Sequence, residues 1–282
     1  MSAPAATAEA VVDGARTALH EFGDPGAPPL LALHGLRGSH HGLAPMASRI
    51  RGARVVVPDL PGFGASPAFG DRTHDVEGYA RWASALLDEL GPEASLLGHS
   101  FGSIVAARIA VDRRSAPPRR LVLVNPIAEP ADGASGITRI GTELTALLHE
   151  TAARRGWEGV LRHRLLADAA TASMTTTRDA GVRHFVATEH RTHFGTFATT
   201  TSLIESFRAA SAGSVLPWAA DLRVPTLLLA GAKDRVAPLP GQERLAAAIP
   251  AEHRLAVLPG VGHLVHYEAP AWAAREIEAF LA

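Results

Sequence analysis

Short apolar runs bounded by Gly, Pro or Asp recur along the chain: Leu30–Leu33, Arg54–Val57, Ala94–Leu97, Leu121–Val124, Thr226–Leu229 and Leu255–Leu258. Each has strand length, and several are apolar without alternation, the pattern of parallel strands buried on both faces. Stretches of helical period separate them, over Val76–Leu90, Phe101–Arg113, Gln242–Ile249 and Pro270–Leu281. In the first of these, Tyr79, Trp82, Leu86 and Leu90 make one apolar stripe that would face a sheet. Strand then helix, repeated, predicts an α/β fold with a doubly wound, mostly parallel sheet. Gly14–Gly23 reads as a further, more polar strand near an edge, and Met1–Ala10 as a short ragged tail.

The rhythm stops between Pro126 and about Val215 and returns at Asp221. Helical periodicity persists in that interval (Leu144, Leu147, Leu148; Val160, Leu161, Leu165), but no buried strand can be read there. The economical reading is a helical insertion, residues 126–215, between two strands of one core formed by 1–125 and 216–282.

Composition removes whole classes of chemistry. The 282 residues carry 27 Lys and Arg against 28 Asp and Glu, with 14 His and no Cys. A formal charge of −1 provides no basic field, so neither nucleic acid nor an anionic membrane is an expected partner. No run approaches the roughly 18 apolar residues of a membrane span. The N-terminus lacks the basic start of a secretory signal, so a cytoplasmic location is expected. Without cysteine there are no disulfides, no thiolate metal ligands and no thiol nucleophile. Lys233 is the lone lysine, and its place beside Asp234 suits a supporting charge better than Schiff-base chemistry.

One segment carries chemistry. Gly98-His99-Ser100-Phe101-Gly102 follows an apolar strand and opens a helical stretch, the context a nucleophile elbow requires. A serine on such a sharp turn projects above the sheet edge, at a helix N-terminus that favours developing negative charge. It needs a base, and the base needs an orienting acid. Asp234 follows the strand Thr226–Leu229, and His263 follows Leu255–Leu258 in the loop Gly260-Val261-Gly262-His263. All three side chains therefore close strands on one edge, in the order Ser, Asp, His. That joint placement is far less expected by chance than the elbow alone.

These residues resemble the α/β-hydrolase superfamily, in particular its capped, esterase-like members, over nearly the whole chain. Leu33-His34-Gly35-Leu36 looks like the family's His-Gly oxyanion segment, and Asp59-Leu60-Pro61-Gly62-Phe63-Gly64-Ala65-Ser66 is similar to its D-x-x-G-x-G-x-S loop. The resemblance implies that the backbone amides of Leu36 and Phe101 hold an oxyanion, and that 126–215 is a helical cap over the carboxyl edge. Some relatives carry the acid after the sixth strand, but Asn125 stands there, leaving Asp234 in the role. Relatives that dehalogenate or open epoxides carry Asp at the elbow, where this chain has Ser100. The implied activity is hydrolysis of a carboxylic ester, lactone or thioester of a small molecule with an apolar acyl part, with no cofactor. Capped relatives also hydrolyse carbon–carbon bonds of vinylogous diketones. Those typically show H-G-x-G-P-G and Trp after the histidine, where this chain has His34-Gly35-Leu36-Arg37-Gly38-Ser39 and Leu264. Perhydrolysis is a side reaction of similar folds. A receptor that keeps the fold without turnover is the alternative from a different class.

Several further residues are candidates for the substrate pocket. Arg37 could bind a carboxylate, and His41 lies just past the oxyanion segment. Phe185, Phe194 and Phe197 could line the pocket or simply pack the insertion on the core. His34 and His99 read as structural, His40 as a solvated loop residue, and His266 as a competitor of His263 for the role of base. His184, His190 and His193 invite a metal, yet His190 and His193 have the wrong spacing for HExxH and only Glu189 as a nearby carboxylate, so none is expected.

Overall fold

A computed structural model describes residues 3–131 and 137–282. The strands are β1 (Ala6–Val12), β2 (Ala15–Gly23), β3 (Pro29–Leu33), β4 (Arg54–Pro58), β5 (Ser95–His99), β6 (Leu121–Val124), β7 (Thr226–Gly231) and β8 (His253–Leu258). They form one sheet in the order β1-β2-β4-β3-β5-β6-β7-β8. Pairing is parallel from β4 through β8 and antiparallel at β1–β2 and β2–β4.

The unbroken apolar runs have a direct cause, since helices cover both faces of the sheet. On one face Leu31, Leu33, Leu96, Leu123 and Leu228 pack with Tyr79 and Trp82 of α2 (Val76–Leu90) and Ile104 of α3 (Phe101–Asp112). On the other, Leu30, Val55, Leu97, Val122 and Leu227 pack with Leu43 of α1 (His40–Ala47) and Ile277 of α11 (Pro270–Leu281). Successive strand residues alternate between the two cores, as a pleated strand requires. The Tyr79 stripe faces the sheet as the periodicity implies, and Asp75 caps α2 by accepting from the Gly78 amide.

The N-terminal reading needs correction. Ala6–Val12 is not a tail but the outer strand of a hairpin, so β2 lies one strand inside the edge. Val12 pairs with Ala15 across a two-residue turn, Asp13 and Gly14, both at positive φ. This is the Asp-Gly turn whose twist matches paired strands.

Between β6 and β7 lie α4 (Ile137–Arg155), α5 (Glu158–Leu161), α6 (Arg164–Met174), α7 (Ala180–His193) and α8 (Thr200–Ala212). Within the interval read as an insertion, residues 132–136 lie outside the described residues. The helices dock on the loop after β4: Gly64 N donates to Thr196 O at 3.1 Å, and Ala198 N donates to Gly62 O at 2.8 Å. His74 Nδ1 meets Glu205 at 2.8 Å. The remaining helices are α9 (Leu239–Ala248) and α10 (Val265–Glu268). No helix among the described residues is long and apolar enough to cross a membrane.

Candidate active site

β5 ends at His99, and Ser100 turns the chain into α3 with φ 52° and ψ −119°, a conformation L-residues rarely hold. The turn is possible because of its glycines. A Cβ on Gly98 would overlap the carbonyl of Gly102, and one on Gly102 would overlap that of Leu33. Ser103 Oγ secures the turn by donating to Ser100 O at 2.5 Å and accepting from Ile127 N at 3.2 Å.

Three strand ends then converge. His263 Nε2 lies 2.8 Å from Ser100 Oγ, and its Nδ1 lies 2.8 Å from Asp234 Oδ2. With Asp234 accepting from Nδ1–H, Nε2 is left to accept the serine proton. The Asp234 side chain is wholly buried, and Oδ1 accepts from the amides of Val236 and Ala237 at 2.8 and 2.9 Å. Burial pushes its carboxyl upward, but the His263 charge and these hydrogen bonds prevail and hold it below the usual carboxylate range.

Asn125 is a participant that the sequence reading passed over. Standing at positive φ at the end of β6, it donates from Nδ2 to Asp234 Oδ2 at 2.9 Å and to Gly262 O at 3.2 Å. A polar residue ending an apolar strand on the same edge as Ser100 was the available signal. Lys233, by contrast, is exposed, and no ion pair joins it to Asp234 among the described residues.

The amides of Leu36 and Phe101 donate no hydrogen bond to a described residue. Phe101 opens α3, where the first amides have no partner within the helix. His34 braces the Leu36 segment: Nδ1 donates to Gly35 O at 2.8 Å and Nε2 accepts from Leu60 N at 2.9 Å. Burial pushes it down to about 4, so it is neutral at pH 7. His99, pushed by burial to about 3, sits under the site with Nε2 3.3 Å from His263 O. His266 is buried against His99, 4.0 Å between ring centres, and makes no hydrogen bond to Ser100.

Residues 30–276 match the alpha/beta hydrolase family. The chain belongs to that family. It is 30% identical over 260 residues to a pimeloyl-[acyl-carrier protein] methyl ester esterase of Aromatoleum aromaticum, covering 84% of this chain and 91% of the relative. It is 29% identical over 302 residues to a 2-hydroxymuconate semialdehyde hydrolase of Pseudomonas putida, covering 97% and 93%. In three other curated relatives the match spans only 39%, 41% and 52% of the relative's length. Among solved structures, the enol-lactonase of Burkholderia xenovorans superposes with a TM-score of 0.77 at 21% identity, covering 97% of this chain and 99% of the other.

In this alpha/beta hydrolase the elbow opens on a cavity of about 1110 Å³. Its wall is largely apolar, with Leu36, Phe101, Ile127 and Leu264 from one side and Leu148, Met174, Phe194 and Phe207 from α4–α8. Ser100, Asp234 and His263 all contribute to it. Of the side chains expected at a substrate, Arg37 and Phe194 belong to the lining, whereas His41, Phe185 and Phe197 lie outside it. Phe197 is buried beneath Arg162, 3.8 Å from guanidinium to ring centre. Phe185 packs edge-on against Tyr267.

Arg37 is already engaged. Nη2 donates to Leu161 O at 2.7 Å, Nε donates to Phe194 O at 3.1 Å, and the guanidinium covers the Phe194 ring at 4.4 Å. Burial, then repulsion from Arg162, lowers it to about 10. It joins the Leu36 segment to the helices opposite. His40, read as solvated, is buried: its amide and Nδ1 both donate to Asp59 Oδ1, at 2.7 and 3.0 Å. Asp59 Oδ2 accepts from Ala65 N at 2.9 Å, which folds its loop. The His20 and His40 contacts outweigh burial and keep this carboxyl ionised.

Proposed function

We propose that the chain is a serine hydrolase that cleaves a carboxylic ester, lactone or thioester of a small molecule with an apolar acyl part. The observation that carries this reading is the relay Ser100–His263–Asp234, with both contacts at 2.8 Å, at the floor of a largely apolar cavity. Residues 1–125 and 216–282 act as the catalytic core and 126–215 as a cap that supplies the opposite wall.

In this mechanism His263 Nε2 takes the hydroxyl proton as Ser100 Oγ attacks the substrate carbonyl. The oxyanion is held by the Leu36 and Phe101 amides, each such donor lowering the barrier by about 3–4 kcal/mol. His263 returns the proton to the leaving oxygen or sulfur. Water then attacks the acyl-enzyme, with His263 again the base, and Ser100 departs. Asp234 fixes the imidazole tautomer and stabilises its protonated form.

Hydrolytic carbon–carbon cleavage is a second reading, supported by the likeness to the 2-hydroxymuconate semialdehyde hydrolase. Comparing p-nitrophenyl esters from acetate to decanoate with a lactone and a vinylogous diketone separates the two. The ester reading expects the esters or lactone to have the higher kcat/KM, Ser100→Ala to lose at least about 10⁴-fold, and a fluorophosphonate to label Ser100. A large preference for the diketone selects the second reading. Unchanged turnover in Ser100→Ala refutes both.

A further inference from the structure

Four imidazoles form a column beside the cavity, stacked at its two ends and tilted by 36° between His40 and His41. His20 and His40 lie 3.3 Å apart between ring centres, His40 and His41 3.9 Å, and His41 and His193 3.7 Å. The two ends of the column differ. At the inner end, Asp59 already accepts from the His40 amide, His40 Nδ1 and Ala65 N, and only His20 Nε2, 3.6 Å from Asp59 Oδ2, is left without a hydrogen bond. At the outer end no comparable network exists. The rings of His41 and His193 have no hydrogen-bond partner among the described residues.

Glu189 is the decisive neighbour. One turn before His193 on α7, it shares that residue's helix face. Only 4% of it is exposed, and its Oε2 is buried without a hydrogen-bond partner, 3.8 Å from His193 Nε2. A buried carboxylate oxygen without a donor is expensive and calls for a counterpart. One donor atom each of His41, Glu189 and His193 lies within 4.8 Å of the other two. Ligands about 2.0–2.1 Å from a tetrahedral ion are roughly 3.3 Å apart. Closing that gap requires the half-buried His41 and His193 rings to leave their 3.7 Å stack and turn toward Glu189.

We propose that His41, Glu189 and His193 form a three-ligand site for a divalent transition-metal ion of the zinc type. Two imidazoles and one carboxylate match the preference of such ions over Mg²⁺ or Ca²⁺, which favour oxygen alone. Burial lowers both imidazoles from the ordinary histidine value and raises the Glu189 carboxyl above its own. Glu189 and His193 line the cavity and His41 adjoins Gly42 of its wall, so a bound ion ties α7 to α1 and keeps an open position for water or a substrate oxygen. The two halves of the site are about 150 residues apart in sequence, which explains why HExxH-type spacing does not reveal it.

The test titrates ZnCl₂ into chelator-dialysed full-length protein by calorimetry, beside Glu189→Gln and His193→Gln. The expected result is one equivalent bound with Kd below about 50 µM, weakened at least about tenfold in either variant. A hundredfold excess over Kd should raise the melting midpoint of the wild type by about 4 °C. Weaker binding by the wild type, or less than tenfold loss in both variants, overturns the proposal. Should either variant fail to fold, His41→Asn and His20→Asn decide: a tenfold loss of zinc affinity in His41→Asn with unchanged binding in His20→Asn supports the site, and any other pattern, including the reverse that places the ion at His20, His40 and Asp59, refutes it.

Discussion

Arg37→Met separates a strut from a substrate ligand. Arg37 stands at φ 57°, and methionine keeps an unbranched stem at the same backbone conformation, so the change isolates the guanidinium. Two charge-assisted hydrogen bonds, to Leu161 O and Phe194 O, disappear, each worth about 1.5–3 kcal/mol. The stacking on Phe194 contributes about 0.5–2 kcal/mol more. Against this, the guanidinium is buried without a carboxylate partner among the described residues, and its fall to about 10 corresponds to about 3 kcal/mol of charge burial that the variant relieves. The balance is a stability loss of about 0.5–5 kcal/mol, read as a lower urea midpoint with unchanged slope. Activity discriminates more sharply. Arg37 directly follows Leu36, whose amide is proposed to hold the oxyanion, so loosening it should lower kcat for a neutral ester about 10- to 100-fold with KM little changed. An unchanged kcat for neutral esters, with KM raised only for carboxylate-bearing ones, would show that Arg37 holds substrate and refute the strut.

Two further outcomes follow from the same contacts. In Asn125→Ala, Asp234 Oδ2 and Gly262 O lose a shared donor, so kcat should drop about tenfold while fluorophosphonate still labels Ser100 slowly; an unaltered kcat would mean that the Val236 and Ala237 amides orient Asp234 unaided. Acid stability is set by buried neutral histidines: burial lowers His34 and His190 to about 4, His99 to about 3, and His266 well below its ordinary range. Their folded values lie below the unfolded value of about 6.5, so the unfolded chain binds more protons between pH 6.5 and 4 and stability must rise with pH across that window. With each contributing close to one proton near pH 5, the unfolding free energy should change by about 3–5 kcal/mol per pH unit in urea titrations at pH 5.0–6.0. A slope under about 1.4 kcal/mol, one proton's worth, would contradict burial of these rings in neutral form.

What could be read in the chain and what could not divide along a physical line. Ser100, Asp234 and His263 were legible because each ends an apolar strand at one sheet edge, and the strand itself is a local signal that fixes where the next side chain emerges. The hairpin of β1 was missed although Asp13-Gly14 marks its turn, because Ala6–Val12 is mostly exposed and its alanines offer no apolar face to detect. In α4 the helical period was real, yet Leu144 and Leu147 are exposed, because the period announces a helix without saying which face finds a partner.

The loops show the limit most clearly. His40 and Asp59 are 19 residues apart, and Arg37 and Phe194 are 157 apart, so nothing local distinguishes these polar residues from solvated ones. Their burial is decided by what the topology brings opposite them. A polar residue beside a strand end therefore carries a functional signal in sequence, whereas one beside a loop acquires its role only from its partner across the cavity. Arg37, by that argument, cannot be assigned as ligand or strut from its own neighbours. Its assignment rests on the two carbonyls of Leu161 and Phe194, which have become its hydrogen-bond acceptors.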